Sequence, residues 1–231
     1  MRTIAIGDIH GCRHAFDILL EELRPASDDV VITLGDYVDR GPDSRGVIDR
    51  LMQLRHECAL KPLKGNHELM MLDARLNPEL EKSWRHHGGR QTLESYAPDS
   101  WFPRLSHVTP DHWDFLENAL LDSFETDTHC FAHANAAPDI TFANQTPDWL
   151  FWQFLSEDAE PHFSGKSLIV GHTAQRSGIP KHFGHTTCID TSAWAGGWLT
   201  ALIIEPRLLI QASQDGRIRE LDLDDLPLSG L

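Results

Sequence analysis

Gly7-Asp8-Ile9-His10-Gly11, Gly35-Asp36-Tyr37-Val38-Asp39-Arg40-Gly41 and Gly65-Asn66-His67-Glu68 follow one another in the first third of the chain. Each stands at the end of a short apolar run: Thr3 to Ile6, Val30 to Leu34, and Leu60 to Leu63. Continuous apolar runs stopped by glycine predict strands buried on both faces. The glycines let the backbone turn sharply and approach a ligand. Polar residues just past such strand ends are where sites form in layered α/β folds.

The residue types in these blocks specify a chemistry. Asp8 and His10 are two apart, so strand geometry continued past Gly7 would aim both at one face, as joint ligands of one metal. Asp36 has two carboxylate oxygens and can bridge two ions. Asn66 adds a neutral carbonyl oxygen. Mixed oxygen and nitrogen ligation suits manganese first, with iron, zinc, cobalt or nickel as alternatives. In two-metal hydrolases the ions lie about 3.5–4 Å apart, and a water between them becomes the nucleophile near neutral pH. His67 is read as the general acid for the leaving oxygen, with Asp39 orienting it and favouring its protonated form. Arg40 offers a planar fork to phosphate oxygens. One such block alone could be an ordinary turn. All three in this order point to hydrolysis of a phosphate ester.

The set resembles the calcineurin-like metallophosphoesterase superfamily, in its phosphoprotein phosphatase branch and especially its small bacterial and phage serine/threonine phosphatases. That branch carries GDxHG, GDxVDRG and GNHE, all unchanged here. Phe131-Ala132-His133-Ala134-Asn135 and Gly171-His172-Thr173 resemble its two later histidine ligands. Trp84, His86-His87-Gly88-Gly89, Thr92 and Ile189-Asp190-Thr191 resemble the bacterial subgroup. The resemblance runs from residue 3 to about residue 215. It implies a four-layer α/β/β/α sandwich with two divalent metal ions. Asp8, His10 and Asp36 would hold the first ion, and Asp36, Asn66, His133 and His172 the second. His67 would be the acid, Asp39 its partner and Arg40 the phosphate clamp. One departure stands out. Relatives carry a second phosphate-binding arginine after a tryptophan, and Gln153 in Phe151-Trp152-Gln153 occupies that position. Arg176 is a candidate substitute.

With 231 residues and no repeat or Gly/Ser-rich linker, the expectation is one domain over residues 1–231. The stretch from about residue 73 to 163 reads as mostly helical, with Thr109 as N-cap, Pro110 in the first turn, and Trp113, Leu116, Leu120 and Leu121 on one face. Trp84, Trp101, Trp113, Trp149 and Trp152 fall in or beside it, as core residues or as the lining of a substrate groove. The apolar runs after Ser167 read as a second, mostly antiparallel sheet. No run is long enough to cross a membrane and no signal peptide precedes the first strand. The cysteines lack metal-type spacing, so a reducing, cytoplasmic setting is expected. A net charge of −15 repels nucleic acid.

A metal-dependent protein serine/threonine phosphatase is therefore the leading expectation, its partner a phosphorylated protein or small phosphoester. Glu68 leans that way, because relatives that cleave diadenosine tetraphosphate tend to have aspartate there. A hydrolase of diadenosine tetraphosphate or other nucleotides is the second reading. A non-catalytic module that kept the fold would have lost a ligand or the acid, and no such loss is visible.

Overall fold

A computed structural model describes residues 1–229. The elements in chain order are β1 (Thr3–Ile6), α1 (Arg13–Leu23), β2 (Val30–Thr33), α2 (Ser44–Leu54), β3 (Ala59–Pro62), α3 (Asn66–Leu76), α4 (Pro78–Trp84), α5 (Arg90–Tyr96) and α6 (Pro110–Asp114). Then come β4 (Ser123–Glu125), β5 (His129–Ala132), α7 (Pro147–Phe151), β6 (Ser167–Val170), β7 (Lys181–His182), β8 (Thr186–Cys188), β9 (Asp190–Thr191), β10 (Trp198–Ile203), β11 (Leu208–Ala212) and β12 (Ile218–Asp222).

The strands form two mixed sheets. The first runs β12-β11-β10-β1-β2-β3, with β9 also pairing β10. Within it β1, β2 and β3 are parallel (Ile4 opposite Val31, Val31 opposite Leu60), while β10 is antiparallel to β1 (Ile4 opposite Ile203). The second runs β4-β5-β6-β8-β7, parallel through β5, β6 and β8. The late apolar runs are thus divided between two sheets. Those at β10 to β12 extend the first sheet antiparallel, and the centre of the second sheet is parallel. Burial on both faces fits either arrangement, so sequence pattern could not choose.

Alternation along each strand makes the layers. Ala5, Ile32 and Leu202 face Phe131, Ile169 and Ile189 in a core between the sheets. Ile4, Ile6, Val31 and Ile203 face the opposite way, onto α1, α2 and the helices after α3. Leu168, Val170 and Cys188 pack under Phe142, Leu150 and Phe151 on the far side of the second sheet. This is the α/β/β/α order, with a thin outer layer over the second sheet.

α1 buries Phe16, Leu19, Leu20 and Leu23 at helical spacing. α2 starts where Asp43 accepts the Gly46 N–H at 2.8 Å. Helical structure recurs up to Ala119, and then β4, β5, loops and the short α7 take the place of the mostly helical stretch expected up to residue 163. Thr109 does stand at the N-cap, yet its side chain caps nothing; Leu121 is 38% exposed instead of sharing the buried face of Trp113, Leu116 and Leu120.

Candidate active site

The three blocks meet because the backbone leaves strand geometry where they begin. β1 stops at Ile6, and the Ile9 and His10 N–H groups both donate to the Asp36 carbonyl, at 3.1 and 2.7 Å. His10, Asp36, Asp39, Arg40 and His172 all adopt positive φ, between 45° and 72°. Each such turn costs an L residue about 1–2 kcal/mol, so it persists only where surrounding contacts enforce it. The strand-based reading of Asp8 and His10 is therefore corrected. A left-handed turn, not a two-residue period, sets the His10 ring within 3.3 Å of the Asp36 carboxylate.

Two clusters share Asp36. His10, Asp36 and His67 form one; Asp36, His133 and His172 form the other, with ligand atoms within 4.8 Å of one another in each. Asn66 joins the second, its Oδ1 lying 2.9 Å from His133 Nε2 and 3.1 Å from His172 Nδ1. Asp8 belongs to neither cluster. Its carboxylate is buried beside them and accepts the His172 backbone N–H at 3.1 Å. Gly171 permits that approach, since a Cβ there would stand 2.0 Å from Asp8 Oδ1.

The protonation pattern follows from burial and charge. Burial pushes His10 and His133 down, and burial with His133 takes His172 to about 4, so all three are neutral at pH 7. Burial, Asp190 and Asp36 together push Asp8 up. Asp190 rises to about 6, from burial first and Asp36 in addition. Burial would raise Asp36 too, but the charge on His67 and the His67 backbone N–H, which donates to Asp36 Oδ1 at 3.0 Å, hold it low.

These donors fit divalent cations. His10 donates Nδ1–H to the Val38 carbonyl at 2.9 Å and His133 to that of Leu34 at 2.8 Å, which leaves both Nε2 lone pairs facing inward. The His133 lone pair then meets Asn66 Oδ1, an acceptor facing an acceptor. Three buried carboxylates and neutral imidazoles crowded this way need positive charge between them.

His67 is held from the other side. It donates Nδ1–H to Asp39 Oδ2 at 2.7 Å, and its Nε2 lies 4.0 Å from Asp36. Burial would lower its pKa, but Asp36 and Asp39 raise it. Asp39, fully buried, also accepts Trp84 Nε1–H at 2.8 Å and the Thr92 hydroxyl at 2.7 Å. Burial raises its carboxyl against these donors. Trp84 and Thr92 carried no individual role in the sequence reading. A buried indole must find an acceptor, and that was the available signal. Gly88 completes the pocket: its carbonyl accepts the Arg40 N–H at 3.2 Å, and a Cβ there would come 2.6 Å from that nitrogen.

Arg40 Nη1 reaches His10 Nε2 at 2.9 Å, with its guanidinium 5.0 Å from the Trp194 ring centre. Above lies an open cleft of about 1100 Å³, lined by Arg40, His86, His87, Phe154, Arg176 and Trp194.

The family profile of calcineurin-like phosphoesterases matches residues 1–191. The chain belongs to that family. As a calcineurin-like phosphoesterase it is a metal-dependent hydrolase of phosphate esters. It is 30% identical over 224 residues to the serine/threonine-protein phosphatase 1 of Salmonella typhimurium, covering 87% of this chain and 90% of that one. It is 29% identical to the asymmetrical bis(5'-nucleosyl)-tetraphosphatase PrpE of Anoxybacillus flavithermus, covering 85% and 88%. The crystal structure of a candidate diadenosine tetraphosphatase superposes with a TM-score of 0.66 at 20% identity, over 95% and 92% of the two chains.

Two residues given weight in the sequence reading of this phosphoesterase lie elsewhere. Glu68 is fully buried and faces backbone, not the cleft. Its Oε1 accepts the N–H groups of Tyr37 (2.8 Å) and Val38 (3.2 Å), and Oε2 those of Asp36 (2.8 Å) and Gly65 (2.9 Å). Gln153 is exposed and lines, with Trp149 and Asp158, a cavity of about 210 Å³ that adjoins the cleft at Phe154. Phe154 stands at the cleft instead, stacked on His172 at 4.7 Å.

Proposed function

We propose that the protein is a dinuclear-metal phosphomonoesterase acting on phosphoserine or phosphothreonine in proteins. The observation that carries the catalytic reading is a buried, carboxylate-held imidazole, His67 on Asp39, packed against the cluster that shares Asp36. Asp8, buried beside the first cluster, would hold one ion with His10 and Asp36; Asp36, Asn66, His133 and His172 would hold the other. Manganese suits this oxygen and nitrogen set. When bound, the ions supply Lewis acidity and an activated water.

The chain's own residues do the rest. Arg40 and Arg176 bind phosphate oxygens with their planar forks of N–H donors. His67 gives its Nε2 proton to the leaving oxygen, which a serine or threonine alkoxide requires. Asp39 fixes the ring through Nδ1 and favours the charged form. Trp84 and Thr92 fix Asp39.

For the substrate, the full-length similarity to a serine/threonine-protein phosphatase supports a phosphoprotein, and the openness of the cleft suits a phosphorylated side chain on a folded partner. The second reading, diadenosine tetraphosphate, draws on the similarly long match to a bis(5'-nucleosyl)-tetraphosphatase and on the flat faces of Trp194 and Phe154. Manganese-reconstituted protein offered a phosphothreonine peptide, p-nitrophenyl phosphate and diadenosine tetraphosphate separates them. The peptide should give the highest kcat/KM. A clear preference for the dinucleotide would replace the first reading with the second.

A further inference from the structure

We propose that a groove beside the cleft binds the polypeptide flanking the phosphorylated residue and favours acidic sequences there; this rests on the protein-phosphatase reading. The groove, about 940 Å³, is lined by Asp43, Arg85, Arg90, Trp101, Phe102 and Arg104 among others. Arg85 and Arg90 line the catalytic cleft as well, so the two spaces adjoin. Trp101 is 93% exposed and Phe102 75% exposed. Adjacent large apolar side chains left in water mark an interaction surface.

The stretch that presents them is held in shape. Arg85 donates to the Pro103 carbonyl at 3.1 Å, the Phe102 N–H donates to Ser100 Oγ at 3.2 Å, and the Arg104 N–H donates to His107 Nδ1 at 3.0 Å. Little ordering is therefore left for binding to require.

Charge selects the occupant. Arg85 pairs with Glu81 at 2.7 Å and Arg90 with Glu94 at 2.8 Å, so neither is a spare cation. Arg104 has no carboxylate partner among the described residues, and Asp43, the lining carboxylate outside those pairs, is engaged as the N-cap of α2. A polyphosphate would need several unpaired cations in a row. Aromatic faces, donors and acceptors in neutral pairs and one free arginine instead match a peptide with an acidic side chain near its phosphate.

The test compares phosphothreonine peptides with acidic or basic flanks, p-nitrophenyl phosphate and diadenosine tetraphosphate on the parent, Trp101→Ala/Phe102→Ala and Arg104→Glu. All three sites are exposed, so the variants should fold. The aromatic double variant should raise KM for both peptides by about tenfold, with kcat and p-nitrophenyl phosphate turnover unchanged. Arg104→Glu should weaken the acidic peptide and improve the basic one. Unchanged peptide KM in both variants would overturn the groove and leave the phosphatase reading standing. Loss confined to diadenosine tetraphosphate would overturn it in favour of a nucleobase. A parent that hydrolyses no phosphopeptide would sink the phosphatase reading, and the groove with it.

Discussion

Glu68→Gln tests whether this residue chooses substrate or holds the site together. The side chain keeps its size and loses one acceptor. Each carboxylate oxygen now takes two backbone N–H groups, at 2.8 to 3.2 Å. Whichever way the amide turns, its NH₂ faces two N–H donors and loses both bonds. A hydrogen bond to a charged group contributes about 1.5–3 kcal/mol, so the loss is about 3–6 kcal/mol. Burial, with Asp36 in addition, pushes Glu68 up to about 7, against the Gly65, Tyr37 and Val38 N–H groups that favour its ionised form. Urea unfolding measures the effect: with a slope near 2 kcal/mol/M, the midpoint should fall by about 1.5–3 M at unchanged slope. Metal affinity should fall with it, since the severed pair is either Asp36 with Gly65 or Tyr37 with Val38, at or next to the bridging residue. A midpoint within about 0.3 M of the parent, with a changed preference between phosphopeptide and diadenosine tetraphosphate, would refute the anchoring role and restore the specificity role.

Other substitutions separate the remaining parts. His67→Asn should keep fold and metal content but lower kcat by about 10²–10⁴, with smaller losses on aryl than on alkyl phosphates; equal losses would mean that His67 is not the acid. Gln153→Arg should leave kcat/KM within about twofold, because the side chain lies outside the cleft, whereas Arg176→Ala should raise KM by about tenfold. A gain at Gln153 would reverse that placement. Asp29→Asn should cost about 2 kcal/mol at pH 7: burial works against the Asp29 carboxylate, but Arg2 and the Ala26 N–H bring it down to about 2 from 3.8. Because the folded value is depressed, the contribution is present above about 3.8 and lost as pH falls through about 2. Unfolding free energies should therefore differ steadily between the proteins above about pH 5 and converge below; a gap that widens in acid would contradict this.

What the sequence disclosed was what is local. Gly7 and Gly35 end buried strands, while Gly65 follows β3, a half-exposed strand at the end of the sheet; the ligand-type side chains follow each within a few residues, so composition and order revealed the chemistry. Long-range assignments were less accessible. The β10 run could join either sheet, and only pairing with β1 decides it. The aim of His10 depends on a left-handed turn held by Asp36, 26 residues later. Glu68 drew attention as a mark of substrate class, yet one residue past His67 in the first turn of α3 its side chain faces backbone. Trp84 and Trp113 are core while Trp101 is fully presented to water, a distinction that residue type alone does not carry.

The central claim is that two metal ions share Asp36, and metal content by mass spectrometry tests it most directly. Protein stripped with a chelator and reconstituted with manganese should hold two ions per chain and recover activity. Asp36→Asn should lose both ions together, because the bridge loses its charge and one of its good oxygen ligands. One ion or none in a fully active parent, or two ions and near-normal turnover in Asp36→Asn, would contradict it.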